Sequence, residues 1–164
     1  MRDRQQRFRS LMGRFVTGVT VIGVKAAARH DAAVEAMTAS AVTAVSLDPL
    51  LLLTCIRNES RFLPAIMRGR CFSINVLAAG QDDVSRYYGG HRHAPCPAEW
   101  RWHTDSVPVL GGANASFICR IHATHRVGDH TVVYGEVVDM IAQDPAAPAL
   151  VYAAGRYQGI SLAA

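Results

Sequence analysis

The chain has 164 residues, of which 50% are hydrophobic and 18% charged, a composition that predicts one globular domain over 1–164 and excludes a disordered chain. The formal net charge is +4. Five arginines crowd the N-terminus, namely Arg2, Arg4, Arg7, Arg9 and Arg14. Such a basic face can contact an anionic ligand or simply be solvated. Because no basic stripe interleaved with aromatic residues follows, we expect no nucleic-acid partner.

The cysteines indicate a reducing compartment. Cys55, Cys71, Cys96 and Cys119 lie far apart without a Cys-x-x-Cys pair, and three of them sit in apolar, strand-like runs. This pattern is typical of reduced, packed thiols, so we expect a cytoplasmic protein. No apolar run approaches the roughly 20 residues of a membrane span, and the N-terminus lacks an apolar signal core.

The first elements are a helix and a strand. Phe8, Leu11, Met12 and Phe15 recur at helical spacing, which predicts an amphipathic helix over about 3–15. Gly18 ends it, and a strand is predicted at 19–24. Residues 34–46 then alternate as a strand, "LDP" forces a turn, and "LLLLTCI" is predicted to be a fully buried strand.

The second half of the chain predicts two more helices and four more strands. The helix at 61–68 is ended by Gly69, and a second helix is predicted at 81–88. The segment 91–112 is predicted to be irregular, since it is rich in Pro and Gly. The remaining strands are predicted at 71–78, in a long hairpin over 115–142 turned at Gly128 and Asp129, and at 149–157.

Six or seven strands in hairpins, with three short helices at the edges, predict a mainly β, α+β domain resembling a barrel. The strands are not separated by regular crossover helices, so a doubly wound sheet is not expected.

Small hydroxyl side chains in "MTASAVTAVSLDP" are the first candidate site. Strand alternation places Thr38, Ser40, Val42, Ala44 and Ser46 on one face. Such a face offers donors to an anion or to heterocycle carbonyls, with little bulk to block a flat ring. A strand packed against an ordinary neighbour is the alternative interpretation, and the pattern alone leaves both open.

Polar residues at strand ends give further candidates. Asn58 and Ser60 begin a helix, where they either cap it or help to bind a phosphate. Asn75 lies in an apolar strand, with Gln81 beyond its end, and is either a structural residue or a ligand contact. His130 enters a strand from a tight turn and is either an ordinary surface residue or a group beside a redox ring.

Motifs for other chemistries are missing from the sequence. It contains no G-x-S-x-G, Walker, H-E-x-x-H or Rossmann motif. The stretch "HRHAPC" matches no common zinc spacing, so no metal is expected. The polar residues therefore suit holding a cofactor that supplies its own reactivity.

The order of several motifs carries a resemblance to a known family. They are "GRFVTGVTVIGV", "MTASAVTAVSLDPLLLLTC", "NES", "FSINVLAAGQDDVS", "PVLGGANASFICR", "GDHTVVYGEVV" and "LVYAAGRY". In sequence and spacing they resemble the flavin reductase-like domain, the small reductase component of two-component flavin-dependent monooxygenases. The resemblance covers about residues 8–160. It implies an FMN-binding split β-barrel, Greek-key-like and antiparallel, that usually forms homodimers.

The implied activity is an NAD(P)H:flavin oxidoreductase that passes reduced FMN or FAD to a partner oxygenase. The resemblance implies flavin contacts from Thr38, Ala39, Ser40, Ala41, Ser46, Cys55, Ile56, Asn58, Ser60, Asn75, Val76, Leu77 and Gln81. It implies a nicotinamide site at His130, Tyr152, Arg156 and Tyr157, with His130 assisting catalysis. FMN versus FAD and NADH versus NADPH stay open, partly because the segment 89–103 is unusually rich in His and Pro.

Two rival functions remain. A non-enzymatic split barrel that stores or senses flavin would bind FMN yet ignore NADH. An enzyme resembling pyridoxamine-phosphate oxidase would need more basic residues at the phosphate than Arg57 and Arg61, the only ones nearby in the sequence.

Overall fold

The computed structural model describes residues 2–27, 33–92, 95–103, 106–142 and 147–161. Within these ranges the chain forms three helices and twelve strands. The helices are α1 (Arg2–Met12), α2 (Phe62–Gly69) and α3 (Asp82–Tyr88). The strands are β1 (Thr17–Gly18), β2 (Thr20–Lys25), β3 (Val34–Ala39), β4 (Val42–Leu47), β5 (Leu50–Arg57), β6 (Cys71–Val76), β7 (Trp100–His103), β8 (Val107–Leu110), β9 (Ala115–Val127), β10 (His130–Ala142), β11 (Ala149–Ala153) and β12 (Arg156–Ile160).

All three predicted helices are present, and they differ in how they are held. Helix α2 buries Phe62, Ala65 and Ile66, one apolar face at helical spacing, and ends where Arg70 takes a left-handed conformation with φ 56°. Helix α1 leaves its apolar residues exposed, with Phe8 at 66%. None of the helices in the described ranges is both long and apolar enough to cross a membrane.

A seven-stranded antiparallel sheet forms the body of the domain. Its strand order is β3-β2-β6-β9-β10-β5-β4, so the two edge strands are consecutive in the chain. The long β9–β10 hairpin at its centre turns at Gly128 and Asp129, as predicted. Two smaller sheets, β1-β11-β12 and β7-β8, complete the fold and confirm the predicted mainly β, α+β class.

The apolar core lies between the seven-stranded sheet and α2. Ile22, Ile56, Ile66 and Phe72 are fully buried there, and burial of each such side chain stabilises the fold by about 1.5–3 kcal/mol. The ring of Phe72 packs directly on Gly135 of β10. A Cβ at that position would lie 2.6 Å from Phe72 Cζ, so only glycine allows this close approach.

Two predictions about strands were wrong because turns were missed. The segment 91–112, predicted to be irregular, contains the β7–β8 hairpin. Pro108 is tolerated in β8, where its carbonyl accepts a hydrogen bond from Ser73 Oγ at 2.5 Å. The predicted last strand at 149–157 is in fact the β11–β12 hairpin. Its turn residues Ala154 and Gly155 both have positive φ, the conformation that a type I′ hairpin turn requires.

The predicted burial of "LLLLTCI" was also wrong. In β5 only Thr54 and Ile56 are buried, and Leu50 is 39% exposed. The reason is that β4, the strand paired with β5, lies at the sheet edge and is itself largely exposed.

Candidate functional site

The chain breaks its strand pairing at Ser40 and Ala41, and this break creates the site. Strand β3 pairs with β2 at one edge of the sheet, whereas β4 pairs with β5 at the other edge. Residues 40 and 41 connect the two edges, and Ala41 accepts a hydrogen bond from the Cys55 N–H at 3.2 Å. The prediction that 38–46 is one strand with one polar face was therefore wrong, because the chain changes partner strand in its middle.

The cavity beside this break has a volume of about 390 Å³, and we call it the Ser40 cavity. It is lined by Met37, Thr38, Ala39, Ser40, Ala41, Cys55, Arg57, Ser60 and His130. Seven of these nine were predicted as site residues, from three separate parts of the sequence. Met37 and Arg57 were missed as ligand contacts, although Arg57 follows the predicted strand directly and its charge was a usable signal.

Several polar groups of the Ser40 cavity have no partner within the part of the chain that the structure describes. These are the Ser40 hydroxyl and the main-chain N–H groups of Ser40 and Ala41. The Ser60 Oγ accepts a bond from the Phe62 N–H at 3.2 Å, which leaves its own hydrogen available. Thr38 differs, because its hydroxyl already donates to the Ser85 carbonyl at 2.6 Å. The cavity thus offers unused donors next to the Arg57 cation.

His130 enters the cavity with one side of its ring already engaged. Its Nδ1 lies 2.8 Å from Asp129 Oδ1, and this hydrogen bond, together with the charge of His130, lowers the pKa of the Asp129 carboxyl. With the Asp129 carboxylate as acceptor, Nδ1 carries the hydrogen and Nε2 is the ring atom left for a ligand.

Asn58 holds the turn that presents His130. Its Nδ2 donates to the Gly128 carbonyl at 3.2 Å, and its Oδ1 accepts from Thr131 Oγ1 at 2.7 Å. The main-chain N–H of Asn58 also bonds the Asp129 carbonyl at 2.9 Å. The predicted contact between Asn58 and a phosphate stays a prediction, while its role in positioning the 128–131 turn is visible.

A second cavity, which we call the apolar cavity, shares the lining residues Ser40 and Ala41 with the first. Its volume is about 490 Å³. It is lined by Phe15, Val16, Thr17, Gly18, Thr20, Ser40, Ala41, Val42, Thr43, Leu53 and Val76. Of the predicted residues it adds Val76. The segment 15–18 was missed because its periodicity indicated only a helix end.

The side-chain amide of Asn75 has all its hydrogen-bonding groups paired within the fold. Its Nδ2 donates to the Val21 carbonyl and to Ser73 Oγ, both at 2.9 Å. Its Oδ1 accepts from the Leu110 N–H at 3.0 Å and from Ser116 Oγ at 2.8 Å. The structural interpretation therefore holds for this side chain, and the predicted contact of Asn75 with flavin stays a prediction. We call Asn75 and these four partners the Asn75 network.

Four other predicted flavin contacts lie outside both cavities. Leu77 and Ile56 are fully buried in the core. Gln81 bonds the Ala78 N–H and the Gly111 carbonyl, so it fastens the loop after β6. Ser46 Oγ accepts from the Asp48 N–H within the turn before β5. Their contacts with flavin stay predictions, and each has a visible role in the fold.

The predicted nicotinamide residues fall into two groups. His130 lines the Ser40 cavity, whereas Tyr152, Arg156 and Tyr157 lie on the β11–β12 hairpin, and none of the three lines that cavity. The rings of Tyr152 and Tyr157 are 4.9 Å apart. Tyr157 reaches the site only indirectly, since its hydroxyl bonds Ser85 Oγ at 2.9 Å and the Ser85 carbonyl holds Thr38. A shared nicotinamide site stays a prediction.

The fold and the two cavities define a mainly β protein in which a polar cavity and an apolar cavity share Ser40 and Ala41. A family model described as "Flavin reductase like domain" matches residues 12–161. An NADH-dependent flavin reductase from a Rhodococcus species is 34% identical over 154 residues, which cover 94% of this chain and 85% of that protein.

Solved structures agree with the sequence comparison. Flavin reductase PheA2 superposes with a TM-score of 0.85 at 30% identity, covering 96% of this chain and 98% of the other. The flavin reductase component of a bacterial two-component tryptophan halogenase gives a TM-score of 0.82 at 30% identity, with 97% and 99% covered. The chain belongs to the flavin reductase-like family. The predicted family, split-barrel fold and oxidoreductase class are thereby confirmed.

Proposed function

We propose that the Ser40 cavity and the apolar cavity together hold one flavin, which NADH reduces at this site. The observation that carries the proposal is the sharing of Ser40 and Ala41 by the two cavities. One cavity is apolar and the other is lined by unused donors and a cation. A flavin has the same division, with a flat ring at one end and a phosphate at the other.

The residues present fit such a ligand. Ala39, Ser40 and Ala41 have short side chains, so a ring can approach the main chain closely. The free N–H groups at 40 and 41 are suited to stabilise negative charge that develops on the ring during reduction. Arg57 and the Ser60 hydroxyl lie at the other end, where a charge-assisted bond to phosphate is favourable.

The protein contributes position and charge balance, and the bound flavin supplies the hydride acceptor. Holding two rings in contact makes the transfer effectively intramolecular, so no nucleophile or strong base is required. His130 acts through Nε2, which accepts a hydrogen bond from the N–H of the nicotinamide carboxamide when Nδ1 carries the ring hydrogen. Asp129 keeps the imidazole in the orientation that this role needs.

Anaerobic absorbance spectroscopy tests the proposal. Purified protein is mixed with FMN and titrated with NADH, and the flavin band near 450 nm should bleach stoichiometrically only when protein is present. Bleaching that is no faster than in buffer would overturn the proposal. Tight FMN binding without bleaching would instead support the rival function, a module that stores or senses flavin.

We also propose that the protein is a homodimer, since apolar residues are exposed on one edge of the single chain. Leu47 is 86% exposed, its partner Leu50 in β5 is also exposed, and so are Val138 and Met140 of β10, the strand that pairs with β5. Light scattering after size exclusion should give twice the mass of one chain. Leu47→Glu should shift the mass toward that of a monomer, whereas Val127→Glu, at an exposed residue elsewhere, should not.

A flavin-dependent oxygenase is the partner that we propose to receive the reduced flavin. The name of the halogenase reductase describes such a two-component system. Transfer by diffusion fits the open form of the site, because Ser40 and Ala41 are solvent-exposed. The cytoplasmic location is proposed on the four free thiols.

A further inference from the structure

A third cavity, of about 330 Å³, lies between the end of α3 and the strand β7, and we call it the aromatic cavity. Four aromatic side chains line it together with one cation and one thiol, namely Tyr87, Tyr88, Trp100, Trp102, Arg92 and Cys96. Sites for small molecules have volumes of about 300–1,000 Å³ and are lined mainly by apolar and aromatic groups. The aromatic cavity is therefore large enough for one small molecule.

The aromatic cavity is separate from the proposed flavin site. Among the described residues, none lines both this cavity and either the Ser40 cavity or the apolar cavity. Val34 at the start of β3 lines the aromatic cavity, whereas Ala39 at the end of β3 lines the Ser40 cavity. A strand rises about 3.3 Å per residue, so these two residues lie about 16 Å apart. A small ligand in the aromatic cavity would therefore not displace flavin.

Contacts within the fold hold the aromatic walls in place. Trp100 packs on Gly23 of β2, where a Cβ would lie 2.7 Å from Cζ3 of the indole ring. The Trp100 Nε1–H donates to the Tyr88 hydroxyl at 2.9 Å, and the two ring centroids are 6.0 Å apart in an edge-to-face arrangement. Tyr87 packs edge-on against Tyr88 with the ring centroids 5.0 Å apart. Walls that are ordered before a ligand arrives reduce the entropic cost of binding it.

The charges around the aromatic cavity favour an anionic ligand. Arg92 Cζ lies 6.0 Å from the ring centroid of Tyr87, and Lys25 Nζ lies 5.8 Å from that of Trp102. No acidic side chain lines the cavity in the part of the chain that the structure describes. Burial raises the pKa of the Tyr88 hydroxyl, so this wall stays neutral. A cationic ligand would meet two positive charges, whereas a carboxylate forms a charge-assisted hydrogen bond with the guanidinium of Arg92.

We propose that the aromatic cavity binds a small aromatic carboxylate, with its ring against the tyrosine and tryptophan side chains and its carboxylate at Arg92. This assigns a role to the segment 89–103, which supplies Arg92, Cys96 and both tryptophans and contributes no lining residue to the proposed flavin site. The inference goes beyond the proposed function and does not depend on it, because the two sites consist of different residues.

Alkylation of Cys96 reports whether the aromatic cavity is occupied, because this exposed thiol lines it. The probe is benzoate. Cyclohexanecarboxylate keeps the charge of benzoate but lacks the aromatic ring, and benzyltrimethylammonium keeps the aromatic ring but reverses the charge. Wild-type protein is treated with iodoacetamide in the presence of each molecule, and peptide mass spectrometry measures the labelling of Cys96 and Cys55. Isothermal titration calorimetry gives the dissociation constants.

Benzoate at millimolar concentration should slow the labelling of Cys96 several-fold and leave the labelling of Cys55 unchanged. Cyclohexanecarboxylate should bind several-fold more weakly than benzoate, since it lacks the aromatic contacts, and benzyltrimethylammonium should not protect Cys96. FMN should leave the labelling of Cys96 unchanged. Absence of protection by benzoate, equal protection by either matched molecule, or protection of Cys96 by FMN would overturn the inference.

Two variants and a matched control test the contacts themselves. Arg92→Gln should weaken benzoate binding roughly tenfold, since the charge-assisted hydrogen bond to the carboxylate is lost. Arg101→Gln is the control, because Arg101 lies between the two lining tryptophans in β7 but does not line the cavity. Trp102→Leu, at a side chain that is 45% exposed, should weaken benzoate binding several-fold without putting folding at risk. Equal benzoate affinity in Arg92→Gln and Arg101→Gln, or wild-type affinity in Trp102→Leu, would overturn the inference.

Discussion

The Asn75 network and the Ser40 cavity both contain polar groups from apolar stretches of the sequence. In the network these groups are hydrogen-bonded to one another, whereas in the cavity several are left unpaired among the described residues. Asn75 and Ser40 are both polar residues in apolar stretches of the sequence, although Ser40 lies between β3 and β4 in the structure. In the network every donor and acceptor of the Asn75 side chain is paired inside the fold, and Asn75, Ser73 and Ser116 are fully buried. In the cavity the Ser40 hydroxyl and two main-chain N–H groups are exposed and unpaired among the described residues. Unused donors, rather than polar residue types, distinguish a binding site from a structural residue.

The largest effect is expected from disrupting the Asn75 network. Asn75→Leu keeps the branched shape of the side chain but leaves buried groups of Val21, Leu110 and Ser116 without the bond to Asn75, while Ser73 keeps its bond to the Pro108 carbonyl. We expect the free energy of unfolding to fall by about 3–5 kcal/mol, since each orphaned group costs about 1–3 kcal/mol and water reaches none of them. Urea unfolding followed by circular dichroism measures it.

Ser40→Ala is the control for that variant, because it removes an exposed hydroxyl that has no partner among the described residues. Its unfolding free energy should stay within about 0.5 kcal/mol of wild type. A loss below about 1 kcal/mol for Asn75→Leu would show that the network contributes little, and the contrast between the two regions would fail.

The reverse pattern is expected at the phosphate end of the Ser40 cavity. Arg57→Gln should weaken FMN binding by about 1–3 kcal/mol because a charge-assisted bond to phosphate is lost, with little change in stability at this exposed position. Fluorescence titration with FMN measures the affinity. Arg61→Gln, four residues along the chain and outside the cavity, is the control, and equal affinity in the two variants would contradict the phosphate assignment.

Thiol reactivity gives a smaller but direct contrast between the core and the cavity. Burial raises the pKa of Cys119 to about 12, so in the folded protein it stays a thiol and resists alkylation. Cys55 lines the Ser40 cavity and should be alkylated slowly in the free protein. Added FMN should slow labelling of Cys55 several-fold and leave Cys119 unlabelled, as read by peptide mass spectrometry. Labelling of Cys55 that FMN does not affect would count against the site.

The same shift predicts a pH dependence. In the unfolded chain the Cys119 thiol has its ordinary pKa of about 9.0. The unfolded state then binds fewer protons than the native state between about pH 9 and 12, so stability present below pH 9 is lost as the pH rises. Cys119→Ala should show a shallower loss of the urea midpoint across pH 8 to 11. An identical slope would contradict the prediction.

The smallest effect on folding is expected at Asp129, which is fully exposed. His130 lowers the pKa of the Asp129 carboxyl, so the ionised carboxylate stabilises the native state at pH values above the usual Asp pKa. This contribution to stability is lost as the pH falls through the lowered pKa. Asp129→Asn should leave the urea midpoint at pH 7 unchanged within error. It should slow NADH oxidation, because His130 loses the partner that orients its ring, and unchanged kinetics would argue against that positioning role.

Hydrophobic periodicity and turn residues were sufficient to predict the helices, the central hairpin and the mainly β class. These signals failed where the conformation of a single residue determines the path of the backbone. Ala154 at φ 49° gives no signal in the sequence, so the β11–β12 hairpin was missed. The change of partner strand at Ser40 depends on long-range pairing with β2 and β5, which local alternation cannot report.

The candidate site was predictable to a similar degree. Thr38–Ala41, Cys55, Ser60 and His130 were predicted through the resemblance, and the structure brings them together. The sequence could not show which of these polar groups are already hydrogen-bonded to other parts of the fold. The hydrogen bond from Thr38 to the Ser85 carbonyl joins residues 47 positions apart in the sequence. The two side-chain hydrogen bonds of Asn58 join residues at least 70 positions apart. Such contacts exist only after folding, so a strand pattern does not contain them.

A crystal structure with bound FMN tests the central claim most directly. We predict the phosphate within hydrogen-bonding distance of Ser60 Oγ and the Arg57 guanidinium, and the ring beside the main chain of Ser40 and Ala41. Asn75 should keep its four bonds and make no side-chain contact with the ligand. Flavin bound away from Ser40 and Ala41, or a rearranged Asn75 network contacting the ring, would contradict the account.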